Sequence, residues 1–157
     1  MDKNITFAAR LNPLSIAMKP KIIPEAKYNQ VLLIDEDQID NLINERIITS
    51  GFFSKEVIVK TSAQSALDYL NDILKNNISL PQIIFLDLKM PEMDGFGFLA
   101  EYDGLVKKHP RLKKECRVIV LSSSISAEDI DRASTNVHVL KYLNKPLSQK
   151  YLDAINI

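Results

Sequence analysis

The run Ile83-Ile84-Phe85-Leu86-Asp87-Leu88-Lys89-Met90-Pro91-Glu92-Met93-Asp94-Gly95 decides the fold. Four apolar residues without alternation fit a strand buried on both faces, and the Pro- and Gly-marked loop after them ends it. Phe98, Leu99, Tyr102, Leu105 and Val106 then recur at helical spacing. The same unit repeats on both sides. Upstream, residues 31–34 are followed by a helical stripe of Ile39, Leu42, Ile43 and Ile47 that stops at Ser50-Gly51. Residues 57–59 are followed by Ala63, Ala66, Leu67, Leu70, Ile73 and Leu74 behind a helix cap at Ser62. Downstream come residues 118–121, a helix opened by Ser126-Ala127-Glu128-Asp129, the run 137–143 and a short final helix over 148–157. Helical crossovers between fully apolar strands imply a parallel sheet covered on both faces. We therefore expect a doubly wound α/β fold of five parallel strands and five helices over residues 28–157. Residues 1–27, with Pro13, Pro20 and Pro24, are expected to form a separate N-terminal arm, and Met18 is a second candidate start.

Composition narrows the function. Twenty Lys and Arg balance twenty Asp and Glu in 157 residues, so no global field recruits nucleic acid or an anionic membrane. One cysteine, Cys116, excludes an internal disulfide and a thiolate-rich zinc site, and His109 and His138 are too few for a His-based metal centre. A cytoplasmic setting suits this usage. No apolar run approaches the roughly 18 residues of a membrane helix.

Chemistry concentrates where the strands end, since open α/β sheets bind ligands beyond the carboxyl ends of their strands. Asp35, Glu36 and Asp37 follow the first strand, Asp87 the third, Ser122, Ser123 and Ser124 the fourth, and Lys145-Pro146 the fifth. Asp37 reads as a helix cap. Asp35, Glu36 and Asp87 together repel by about 4 kcal/mol per pair at 4 Å and an effective dielectric near 20. A divalent cation offsets this, Mg²⁺ most naturally, because it takes one or two carboxylates, keeps waters and accepts a phosphoryl oxygen. Lys145 supplies a second positive centre.

Asp35-Glu36, Asp87 within Leu86-Asp87-Leu88-Lys89-Met90-Pro91, Ser122 and Lys145-Pro146 follow one another in the order that resembles the response-regulator receiver domain of two-component signalling. That resemblance spans nearly the whole chain beyond the arm. It implies a flavodoxin-like sheet in the order 2-1-3-4-5 and a cis Lys145-Pro146 bond. It also implies Asp87 as phosphoacceptor, Mg²⁺ held by Asp35, Glu36, Asp87 and the Lys89 backbone carbonyl, and Ser122 and Lys145 on the phosphoryl oxygens. Ser122 and Tyr142 are then the switch pair. The implied partners are a sensor histidine kinase or phosphotransfer protein upstream, and a downstream protein at the surface of the fourth helix, fifth strand and fifth helix. Glu36 stands where the family more often has Asp. Lys89 and Ser124, two places beyond site residues, are positioned to govern the lifetime of an acyl phosphate.

Such a protein is a switch that catalyses its own aspartyl phosphorylation and dephosphorylation. With no room for an output domain after the last helix, a single-domain regulator is expected. An aspartate-nucleophile phosphohydrolase is the alternative from a different class, but it wants a second aspartate two places beyond the nucleophile, where Lys89 stands. A degenerate receiver binding partners without phosphorylation is the other. Of the remaining features, the basic run 107–114 reads as a solvated surface, His138 as a packed or surface residue within the fifth strand rather than a phosphohistidine, and Cys116 as structural or incidental rather than reactive.

Overall fold

All four residues of β3 (Ile83–Leu86) are shut off from solvent, as an uninterrupted apolar run dictates. β1 (Tyr28–Ile34) and β4 (Arg117–Ser122) flank it, with β2 (Ser54–Lys60) outside β1 and β5 (Val139–Asn144) outside β4. The order is thus 2-1-3-4-5, and every pairing is parallel. The computed structural model describes residues 22–157, so the expected arm over residues 1–27 lies mostly outside the described range.

Alternation along each strand splits the core into two layers. Leu32, Ile34, Ile84, Leu86 and Val118 pack under α2 (Ala63–Lys75), α3 (Gly95–Lys108) and the short α4 (Arg111–Glu115). Val31, Leu33, Ile83, Phe85, Ile119 and Leu121 point the other way, onto Ile48 of α1 (Gln38–Ser50) and Leu152 of α6 (Gln149–Asp153). Ala133 of α5 (Ala127–Ser134) packs against Val120 near Tyr142. Helices therefore cover both faces, and the functional surface is left at the strand ends. The expected caps form. Asp37 accepts from the Ile39 and Asp40 amides, Ser62 from Ser65 and Ser126 from Asp129. No described helix is long and apolar enough to cross a membrane.

Four local readings are corrected. Among the described residues there are six helices rather than five, because the basic run does not stay a loop: Pro110 sits in helical conformation, which suits a first turn, and wholly buried Leu112 anchors α4. α1 is turned away from its apolar stripe. Ile39 and Leu42 are 70% and 67% exposed, whereas Asn41, Asn44 and Ile48 face inward. The inward asparagine has a task, since Asn41 Nδ2 donates to the Asp35 carbonyl at 2.7 Å and ties the helix to the loop after β1. Gly51 is not left-handed; its φ is −82°, and Phe52 takes the positive φ of 54°. A Cβ at Gly51 would instead run into the Gln149 side chain at 2.1 Å. Finally, His138 lies in the turn before β5 rather than inside it.

Candidate functional site

Two aspartates are built alike at the strand ends. Asp35 follows β1, and its Oδ1 accepts from the Asp37 amide two residues on, at 2.9 Å. Asp87 follows β3, and its Oδ1 accepts from the Lys89 amide two residues on, at 3.3 Å. These turns, which Asp favours because its side chain reaches the amide two places ahead, occupy one carboxylate oxygen each. Both Oδ2 atoms are left facing Lys145 Nζ, at 2.6 Å from Asp35 and 3.2 Å from Asp87. Sheet hydrogen bonding continues through the site and fixes it: the Asp87 amide donates to the Ile34 carbonyl at 2.9 Å, and the Lys145 amide to the Ser122 carbonyl at 2.9 Å.

Asp87 is also held from behind. The first turn of α3 approaches so closely that a Cβ on Gly95 would sit 2.6 Å from the Asp87 carbonyl oxygen and 2.8 Å from Leu88 Cα. Only glycine allows the Gly95 amide to reach the Leu88 carbonyl, at 3.0 Å, without displacing that backbone. Asp94 then caps α3 by accepting from the Gly97 amide at 2.8 Å. The string Asp94-Gly95 is thus a rigid stop behind the carboxylate.

Asp35 and Asp87 are buried, at 1% and 5% exposure, and Lys145 is mostly covered. Burial raises the Asp35 pKa above the ordinary carboxylate range, and the neighbouring Asp87 charge adds to this, against the opposing pull of Lys145 and the Asp37 amide. Burial alone would lower the Lys145 pKa. Hydrogen bonds to Asp35 and Asp40 and the charges of Asp87 and Asp35 outweigh it, and the ammonium titrates above a free lysine. The cluster is therefore held together by one permanent cation among more numerous anions.

Of the expected site residues, Asp35, Asp87 and Lys145 meet directly. Glu36 lies beside them on the exposed rim. Among the described residues no three acidic, histidine or cysteine side chains form a ready-made metal cage. The donor set nonetheless fits a hard divalent cation: two buried carboxylates and an adjacent third, in a crevice with excess negative charge, suit an ion that keeps part of its water. Ser122 is fully buried at the end of β4, and its Oγ accepts from the Ser124 amide at 3.2 Å, which leaves the hydroxyl proton outside that bond. Tyr142 is half-buried on β5, packed near Val120 and Ala133, and donates to the Ser124 carbonyl at 2.7 Å. Ser124 Oγ in turn donates to Asp129 of α5 at 2.6 Å. The Lys145–Pro146 bond is cis.

One participant was absent from the sequence reading. Asp40, in the first turn of α1, contacts Lys145 Nζ through Oδ2 at 2.8 Å, closer than Asp87 does. An acidic residue in a first helical turn is ordinarily read as complementing the helix dipole, so the signal was ambiguous. His138 and Cys116 stay away from the site. His138 Nε2 pairs with Asp103 at 2.8 Å with its ring edge-on to Tyr102, and Cys116 is buried at the other end of β4. A broad cleft lined by Asn29, Gln82, Arg111 and Arg117 lies at the opposite edge of the sheet, where the strands begin.

Comparison with known proteins points the same way. The family model described as "Response regulator receiver domain" matches residues 31–156. The chain is similar to the probable methanogenesis regulatory protein FilR2 of Methanothrix harundinacea, with 33% identity over 75% of this chain and 72% of that one. It is also similar to response regulator Rcp1 of Synechocystis, with 30% identity over 78% of this chain and 80% of that one. A two-component response regulator from Cytophaga hutchinsonii superposes with a TM-score of 0.70 at 32% identity, covering 83% of this chain and 93% of that one. Rcp1 has itself been solved in a Mn²⁺-bound form, with a TM-score to this chain of 0.59.

Proposed function

The chain belongs to the response regulator receiver family of two-component signalling, and from that premise we propose that it is a phosphorylation-controlled switch with Asp87 as phosphoacceptor. The observation that carries this reading is the convergence of Asp87, Asp35 and Lys145 at the ends of three strands, with one oxygen of each aspartate pinned by an amide and the other turned to the ammonium. An already ionised carboxylate needs no general base. Asp87 Oδ2 attacks phosphorus in line, a P–O bond forms, and the P–N bond of a phosphohistidine donor breaks with its electron pair left on the imidazole nitrogen.

Asp35, Glu36, Asp87 and the Lys89 carbonyl would hold Mg²⁺, which when bound supplies positive charge against the transferring phosphoryl oxygens. The Rcp1 precedent with Mn²⁺ supports a divalent ion of this kind. Lys145 neutralises a second oxygen, and the Ser122 hydroxyl, whose proton is outside its bond to Ser124, donates to a third. Drawing Ser122 toward Asp87 opens space behind β4 for the Tyr142 ring, whose present tether is the Ser124 carbonyl. The surface of α5, β5 and α6 changes with it, and this is where a downstream protein reads the state. Upstream, a sensor histidine kinase or phosphotransfer protein supplies the phosphoryl group. Residues 28–157 constitute the receiver, and its output is a change of partner binding rather than turnover of a metabolite.

The test is incubation with acetyl phosphate and Mg²⁺, followed by intact mass and peptide mapping. One acid-stable, base-labile adduct on Asp87 is expected, lost in Asp87→Asn and in Asp35→Asn plus Glu36→Gln. An adduct that persists in Asp87→Asn at the normal rate moves the acceptor elsewhere, and continuous release of phosphate from small phosphate esters favours a hydrolase.

A further inference from the structure

We propose that Asp40 is a positioning residue that holds Lys145 against α1 and competes with a phosphoryl group on Asp87 for the ammonium. The inference rests on the phosphoacceptor reading of Asp87 and extends it to a residue outside the expected set.

The geometry is a matter of donor count. A lysine ammonium has three N–H donors and no acceptor. Here three carboxylates surround it: Asp35 Oδ2 at 2.6 Å, Asp40 Oδ2 at 2.8 Å and Asp87 Oδ2 at 3.2 Å. The longest contact is the one to Asp87. A phosphoryl group on Asp87 Oδ2 takes over the donor that this oxygen now receives, and it draws Lys145 closer only as another carboxylate loosens its hold. Asp35 is buried and pinned through Oδ1 by the Asp37 amide, so it is a poor candidate to retreat. Asp40 differs. Its side chain is 40% exposed, on the solvent side of the cluster. Water can solvate that carboxylate when Lys145 leaves, which makes release inexpensive.

The position is set by the helix start. Asp37 caps α1 and accepts from the Asp40 amide itself at 3.0 Å, so the Asp40 backbone is fixed relative to the loop that carries Asp35. The site thus contains two anchors for one lysine, a buried one at the metal-binding loop and an exposed one on the helix. The exposed anchor lowers the affinity for an Asp87-bound phosphoryl group by the worth of a half-exposed ion pair.

The experiment measures beryllofluoride binding, as a phosphoryl mimic, to the 157-residue chain at saturating Mg²⁺ by ¹⁹F NMR titration. Asp40→Asn and Asp40→Ser are expected to bind about three- to tenfold more tightly than the parent chain. Asp40→Glu, which retains a carboxylate able to reach Lys145, returns affinity to the parent value. Asp37→Ser keeps the helix cap while removing a nearby charge that does not touch Lys145, and changes affinity by less than about twofold. A general packing role for Asp40 would weaken binding in both neutral variants. Affinity that is unchanged or weaker in Asp40→Asn and Asp40→Ser overturns the proposal, as does an equal gain in Asp37→Ser or in Asp40→Glu. If the parent chain binds no beryllofluoride at all, the phosphoacceptor reading itself fails and the competition falls with it.

Discussion

The Tyr142 hydroxyl donates to the Ser124 carbonyl across 2.7 Å, and Asn144 Nδ2 donates to the same oxygen at 3.0 Å. Two residues of β5 thereby grip the loop that leaves β4, directly beside Ser122. Tyr142→Phe removes one of the two bonds and leaves the carbonyl partnered, so the cost to stability is about 0.5–1.5 kcal/mol by denaturant unfolding. Ser122→Ala is expected to accept a phosphoryl group on Asp87 while the Tyr142 ring resonances stay put on beryllofluoride addition. Tyr142 shifts equal to those of the parent chain would break the assigned coupling.

Gly95→Ala tests the stop behind Asp87. The new methyl meets main-chain atoms of Asp87 and Leu88 that belong to the β3–α3 connection and have little room to retreat. Destabilisation of about 1–3 kcal/mol is expected, together with slower labelling of Asp87. A variant as stable as the parent chain would show that this connection yields easily.

The orientation of α1 makes a sharp contrast. Ile39→Gln and Leu42→Gln are expected to leave stability within about 0.5 kcal/mol, since both side chains already face solvent. Ile48→Ala, further along on the inner face and fully buried, is expected to cost about 2–5 kcal/mol. Urea unfolding of the three variants decides it; a large loss at Leu42 would mean that the helix is rotated from the position described.

Burial pushes the Cys116 thiol from 9.0 up to about 12, with a hydrogen bond to Tyr102 only partly opposing it. The folded chain therefore keeps this proton longer than the unfolded chain does. Its contribution is fully present below pH 9.0 and is lost as the pH climbs toward about 12. Over that window the parent chain should lose up to about 1.4 kcal/mol per pH unit more than Cys116→Ala. The native thiol should also resist a disulfide reagent at pH 8 and react fully in denaturant. Rapid native labelling would contradict its burial.

Strands and helix starts were legible because they rest on local patterns. The apolar runs around Val31, Ile83 and Val118 have no partner reading as helices of that length, and Ser62, Ser126 and Asp37 cap where a side-chain oxygen precedes a helical stripe. α1 was misread because the rule that apolar residues face inward assumes that the inner face serves only the core. Here Asn41 faces inward to bond the Asp35 backbone, which displaces Ile39 and Leu42 to the outside. Gly51 misled in a similar way, since glycine at a helix end suggests a left-handed turn, while here that conformation falls one residue later, on Phe52. Asp40 was invisible for the same cause: its partner Lys145 is brought near by the fifth strand, and no spacing along the chain encodes that meeting.

The placement of β3 at the centre of the sheet also governs how the chain comes together as it is made. Leu33 and Phe85 are neighbours in the finished sheet yet lie about fifty residues apart in the chain. A growing polypeptide that has emerged only as far as β2 can assemble the β1–α1–β2 unit, but the β3-facing edge of β1 has nothing to bond and its apolar residues stay uncovered. The arrival of four residues, Ile83 to Leu86, gives β1 its missing neighbour and at the same time presents a second edge, which stays open until β4 follows.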